Sequence, residues 1–219
     1  MRRFVLAVAL MLALGATASA TIELEFMYGG SVIGTPIIGT SCGTGTCVIL
    51  PSAVTVGDWT ISSADGVSFG PTNPNMTLSS FDATSAPDAA PLDILITDTF
   101  NVASSAWTLE GNGTLPLGAG TGTATISAYL GNAPFQETTQ IGTLGPYSAS
   151  YMDGQSFSQN SGSNYMLTEQ LTVTSGSGGV KWSTGSSITG TVAATEPGTT
   201  LLLSLTMLAG VLFRKKLVA

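Results

Sequence analysis

Between Thr21 and Thr195 the apolar residues return at every second position, in runs too short for anything but strands. Ile22, Leu24, Phe26 and Tyr28 alternate with Glu23, Glu25 and Met27. Ile94 and Ile96 share one side of the run from Leu92 to Phe100, with Asp93, Leu95 and Thr97 on the other. Ala124, Ile126, Ala128 and Leu130 alternate with Thr123, Thr125, Ser127 and Tyr129. Leu167, Leu171 and Val173 share a parity with Glu169, opposite Thr168, Gln170, Thr172 and Thr174. A period of two sends one set of side chains into a core and the other into solvent. Threonine suits the outward face, because its branched side chain packs well on a pleated surface. No ten-residue stretch in this region combines a helical period with good helix formers.

Glycine pairs punctuate the runs. Asp65-Gly66, Gly111-Asn112-Gly113, Gly131-Asn132, Asp153-Gly154 and Gly176-Ser177-Gly178-Gly179 all carry the chemistry of tight reversals. Pro71 to Pro91 holds four prolines and reads as a long irregular connection. Many short strands joined by such turns predict an all-β fold, an antiparallel β-sandwich, with a barrel as the competing closure. Residues 21–195 are enough for one domain with a real core.

Charge is unusually scarce and unevenly placed. Charged residues make up 9% of the chain, against ~25% in ordinary soluble domains. Of six basic residues, Arg2 and Arg3 precede the first apolar run, and Arg214, Lys215 and Lys216 follow the last. Lys181 is the only one between, against twelve acidic residues from Thr21 to Thr195, so this body carries about −11. Such a surface repels phosphate and excludes nucleic acid as a partner. The cationic clusters stand where they would set membrane topology, since Lys and Arg beside an apolar segment stay on the cytoplasmic side.

The first twenty residues have the three parts of an export signal. Arg2-Arg3 is the positive start and Phe4 to Leu14 the apolar run, too short for the ~20 residues that span a bilayer. Ala18-Ser19-Ala20 is a small-x-small site for signal peptidase. The mature chain is expected to begin at Thr21. Export places Cys42 and Cys47, the only cysteines, in an oxidising compartment. There they are expected to form a local disulfide across Gly43-Thr44-Gly45-Thr46. Its small loop puts the stabilisation at the weak end of the usual ~2–4 kcal/mol.

At the other end, Glu196-Pro197-Gly198 precedes an uncharged segment from Leu201 to Phe213, and Arg214-Lys215-Lys216 follows it. Counted from Thr199, the segment reaches about 22 Å as a helix at ~1.5 Å per residue. That falls short of the ~30 Å hydrocarbon core, so flanking groups must snorkel or the bilayer thin. The expected elements are thus an N-terminal signal helix over 1–20, a β-sandwich ectodomain over 21–195 and a sorting tail over 196–219. The tail divides into a motif at 195–198, a single transmembrane helix at 199–213 and a basic cluster at 214–216. A glycosylphosphatidylinositol signal shares the spacer and apolar tail but normally lacks the basic triplet.

These three elements in this order resemble the PEP-CTERM sorting signal of exported proteins in Gram-negative bacteria. Glu196-Pro197 matches the last two residues of that family's Pro-Glu-Pro motif, and Thr195 stands where its first proline would be. The resemblance implies an inner-membrane anchor, then processing by an exosortase-type enzyme and delivery to the cell surface or beyond. It further implies association with extracellular polysaccharide.

For the body itself the resemblance points first to a structural component of the cell surface or biofilm matrix, and a β-sandwich with hydroxyl-rich faces fits that role. The alternative is a glycan- or calcium-binding module. Asp65, Asp88, Asp93, Asp98 and Asp153 motivate the cation, although their spacing matches no known loop. Trp59, Trp107, Trp182 and Tyr129 are candidates for stacking on sugars, although isolated aromatics in strands more often belong to the core. Catalysis is the weakest reading. The chain has no histidine, which excludes Ser-His-Asp and Cys-His arrangements, and no carboxylate pair stands out by context. No metal centre and no cofactor is expected.

Overall fold

The computed structural model describes residues 21–43, 45–115 and 121–192. The predicted signal helix and sorting tail, with Ala18, Ala20, Glu196, Pro197, Gly198, Arg214, Lys215 and Lys216, lie outside the described residues. The described residues form only strands. In chain order these are β1 (Glu23–Tyr28), β2 (Ser31–Ile38), β3 (Thr40–Cys42), β4 (Gly45–Ile49), β5 (Val54–Val56), β6 (Trp59–Ser68) and β7 (Asn75–Ser85). They continue as β8 (Leu92–Phe100), β9 (Ser104–Thr114), β10 (Ala124–Gly131), β11 (Thr139–Tyr147), β12 (Tyr151–Ser158), β13 (Tyr165–Val173) and β14 (Val180–Val192).

Two antiparallel sheets result. The six-stranded sheet runs β11-β10-β13-β8-β1-β2, and the eight-stranded sheet runs β12-β9-β14-β7-β6-β4-β3, with β5 beside β6. The expected sandwich is therefore the architecture. Its inner half has a simple logic. β7 pairs with β14, β8 with β13, β9 with β12 and β10 with β11. This is one long antiparallel ribbon folded over on itself. Wrapping the ribbon brings β14 beside β9 and β13 beside β10. That is the jelly-roll solution to burying two faces without leaving free edges in the centre.

The alternating runs behave as their parity predicts. Ile22, Leu24, Phe26, Ile126, Leu167, Leu171 and Val173 are all buried between the sheets. Trp59, Trp107 and Trp182 are buried with them, so the core takes the three tryptophans offered as sugar platforms. Tyr165 stacks on Phe100 at 5.8 Å and meets Trp107 edge-on at 5.9 Å, the offset geometries that ring quadrupoles favour. On β8 both parities are buried. Leu95 faces outward, but Glu25 and Gln170 border it in register.

Two readings of the loops are corrected. The stretch from Pro71 to Pro91 is not an irregular connection, because β7 occupies its middle and buries Met76, Leu78, Phe81 and Ala83. Its alternation is broken by a bulge between Leu78 and Phe81, which hides the period in the sequence. Asp65-Gly66, Gly111-Asn112-Gly113 and Asp153-Gly154 are not reversals either; each lies inside a strand. Gly131-Asn132 and Gly176 to Gly179 do end strands, as expected.

Packing explains the mid-strand glycines. A Cβ at Gly111 would collide with Ile126 Cδ1, and one at Gly113 would collide with the Tyr151 ring. At Gly66 it would press on Val48 and Ile22 at 3.1 and 3.3 Å. Side chains from facing or neighbouring strands fill the volume these residues leave. Cys42 and Cys47 are joined, with Cα atoms 5.8 Å apart, closing the β3–β4 hairpin. We expect Gly111→Ala to destabilise the fold by ~1–3 kcal/mol through overpacking. Adding Ile126→Val, which removes the colliding Cδ1, should recover most of that loss in urea unfolding; two additive losses would show that the collision is not the cause.

Candidate functional site

Glycines of the other parity, Gly154 and Gly185, thin the outer face of the eight-stranded sheet. A hollow of about 700 Å³ opens there across β12, β9, β14 and β7. Register arranges its outward side chains in rows. Gly154, Glu110, Ser187 and Thr77 form one row, each opposite the next. Met152, Asn112 and Gly185 form the second. Opposite Gly185 comes the β7 bulge, where the register steps from Thr184↔Phe81 to Ser186↔Leu78. Ser79 and Ser80 therefore face a single residue. Bulges often re-aim groups at functional sites.

The hollow offers hydrogen bonds without using them. Among the described residues, the side chains of Thr77, Glu110, Asn112 and Ser187 make no hydrogen bond or ion pair. Met152 adds an apolar wall and is 88% exposed. A Cβ at Gly185 would stand 3.1 Å from the Leu78 carbonyl oxygen, 3.2 Å from Asn112 Oδ1 and 3.3 Å from the Ser79 carbonyl oxygen. The missing side chain thus leaves a space rimmed by three acceptors.

Directly inside the same strands lies a polar cluster. Tyr151 and Thr184 share a hydrogen bond at 2.6 Å between their hydroxyl oxygens, and Thr184 Oγ1 donates to the Asn112 carbonyl at 2.7 Å. Tyr147 stacks on Tyr151 with ring centroids 4.0 Å apart and donates its hydroxyl to Asp153 at 2.5 Å. Glu169 is buried beside this cluster, and neither of its carboxyl oxygens has a hydrogen-bond partner. Ser186 stands near enough to oppose the effect slightly, yet without a well-formed bond. Burial pushes the Glu169 carboxyl up to about 8, because an apolar interior disfavours its charge. Asp98, also inward-facing and buried, is raised for the same reason, opposed by Ser68 and the backbone at Thr99 and Thr21.

The proposed calcium ligands do not converge. Asp65 lies on β6 and accepts from Ser80 at 3.0 Å; Asp93 on β8 accepts from Thr172 at 2.5 Å; Asp153 lies on β12. Asp88 sits in a turn at φ 51° and Asp98 is buried. Among the described residues no group of three or more His, Cys, Asp or Glu is placed to hold a metal. Tyr129 is half-buried on the outer face of the other sheet, and Lys181 is exposed on β14. Sequence reasoning missed Glu110, Asn112, Met152 and Ser187. For Glu110, Asn112 and Met152 the signal was the adjoining Gly111-Asn112 and Asp153-Gly154, which look like turns and line the hollow.

No protein-family model matches the chain, and no curated protein matches its sequence. Among solved structures it is similar to the adhesin domain of Epf from Streptococcus pyogenes, at 10% identity and a TM-score of 0.37. That match covers 80% of this chain and 63% of that one. It is similar to the infectious bursal disease virus VP2 subviral particle at 12% identity and a TM-score of 0.34, over 82% of this chain and 54% of that one. A third is TmCBM61, solved with β-1,4-galactotriose, at 5% identity and a TM-score of 0.32, over 62% and 88% of the two chains. At such scores the likeness carries no argument about ligand or role.

The buried carboxyl makes stability depend on pH. Below about pH 4.5 Glu169 is neutral both folded and unfolded. As pH rises from there to about 8 the unfolded chain ionises freely and the folded one resists, so stability falls. Glu169→Gln should therefore raise Tm at pH 8–9 by more than at pH 4.5. Equal shifts at both pH values would refute a titrating Glu169.

Proposed function

We propose that the chain is an exported envelope or matrix protein whose jelly-roll body binds extracellular polysaccharide in the hollow across β12, β9, β14 and β7. The role is one of binding and surface construction, not catalysis. The observation that carries it is the hollow itself: a polar trench on a rigid sheet, lined by unengaged Thr77, Glu110, Asn112 and Ser187, with Met152 as its apolar side. Sugars present hydroxyls in rows beside apolar ring faces. A sheet surface with amide, hydroxyl and thioether groups in register complements both. Strand-borne groups also hold their positions better than loop-borne ones.

The terminal segments supply the location. Signal peptidase at Ala18-Ser19-Ala20 and an exosortase-type enzyme at Glu196-Pro197 would release the body after export. The helix over 199–213 and the cations Arg214, Lys215 and Lys216 would hold it in the inner membrane until then. The body's charge near −11 keeps it soluble and away from phosphate-rich partners. Its disulfide suits the oxidising side of the membrane.

Two experiments test the two halves. In affinity electrophoresis of the exported protein against a polysaccharide panel, Asn112→Ala with Ser187→Ala should weaken retardation by roughly 30-fold, from ~1 kcal/mol for each lost hydrogen bond. Retardation unchanged by both substitutions would move binding elsewhere. Deleting 196–219 should shift the protein from the envelope fraction to the medium, and unchanged envelope retention would remove the sorting role of the tail.

A further inference from the structure

We propose that the hollow selects polysaccharide carrying free amines, seating a sugar ammonium between the Glu110 carboxylate and the acceptor-rimmed space over Gly185. The inference rests on the polysaccharide reading above and narrows it to one ligand class.

Three features lead to it. The first is the set of oxygens around the vacant side-chain position of Gly185. The Leu78 carbonyl, the Ser79 carbonyl and Asn112 Oδ1 all stand within 3.1–3.3 Å of that point. A donor seated just outward of it faces three acceptors. A hydroxyl donates only one hydrogen, whereas an ammonium has three. The bulge on β7 leaves Ser79 and Ser80 opposite Gly185, so the Ser79 carbonyl comes from the bulge and the Leu78 carbonyl from the residue just before it.

The second feature is Glu110. It stands on the same outward face of β9 as Asn112, two residues away, or ~7 Å along the strand. Its carboxylate is exposed and engages no partner among the described residues. A cationic ligand group would convert the nearby hydrogen bonds into charge-assisted ones, about twice as strong as neutral pairs.

The third feature is what the surroundings lack. Lys181 is the only basic residue in the body. It lies four residues before Gly185 on β14, ~13 Å away along the strand, beyond a Debye length of ~8 Å at physiological salt. Among the described residues no cationic side chain lines the hollow to neutralise a uronate or sulfate. Asp65 and Asp82 continue the negative field on the neighbouring strands β6 and β7. Polyanions are therefore excluded by the same charges that favour an amine.

The experiment is calorimetric titration of the exported full-length protein with four hexasaccharides of matched length. These are a β-1,4-glucosamine oligomer, its fully N-acetylated form, a neutral glucan and a polyuronate. The amine form should bind at least tenfold tighter than the acetylated form. Raising salt from 50 to 500 mM should weaken it severalfold while leaving neutral binding unchanged. Glu110→Gln, at an exposed position, should reduce the preference to within twofold and abolish the salt effect. Gly185→Ala, whose Cβ meets its neighbours at 3.1–3.3 Å, should weaken the amine form without unfolding the sheet. If the acetylated or neutral oligomer binds as tightly as the amine, the selectivity is refuted while polysaccharide binding stands. A preference for the polyuronate refutes it outright. If none of the four binds, the polysaccharide reading falls together with the inference.

Discussion

Two sheets pressed face to face leave a gap of about 10 Å that side chains from both must fill without overlap. In this chain that constraint is met almost wholly by apolar and aromatic groups. Where a large residue on one strand needs depth, a neighbouring or facing position gives it up. Ile126 and Tyr151 reach into the volume left by Gly111 and Gly113. The outer face is thinned separately, by the glycines of the opposite parity. Gly185 on β14 and Gly154 on β12 lie on that outward parity. The hollow on the outer face thus goes with the outward glycines of β12 and β14, while those of β9 serve the core.

The fold was legible where burial was one-sided and uninterrupted. The runs at β1, β10 and β13 predict their faces correctly because each alternates without a break. β7 was invisible because its bulge between Leu78 and Phe81 changes parity halfway, and the flanking prolines suggested a loop. The glycine pairs within β6, β9 and β12 misled for a related reason. Asn-Gly and Asp-Gly report low steric bulk, and a hairpin is only one use for that. Distinguishing a reversal from a close packing contact requires knowing what lies opposite, which one strand's sequence does not contain.

Glu169 was legible in a different way. Its parity with Leu167, Leu171 and Val173 already placed a carboxyl in the core. Asp98 shares the parity of Ile94 and Ile96 in the same manner. Both are buried. Sequence alone says nothing about whether partners await such groups, and for Glu169 none closes. The tyrosine–threonine chain beside it instead ties β12 to β14 and to the backbone of Asn112. The inner cluster thereby steadies the strand that carries Asn112 and Glu110 on its other face.

The place of β14 has a mechanical meaning. It is the longest strand among the described residues, at thirteen residues, and it is paired to β7 on one side and β9 on the other. It also carries Gly185 and Ser187 in the floor of the hollow, and the chain runs on from it into residues 193–219. A pull on that tail along the strand axis loads both flanking ladders in parallel shear. Many hydrogen bonds then share the force and must yield together, whereas a strand peeled from a sheet edge gives way one bond at a time.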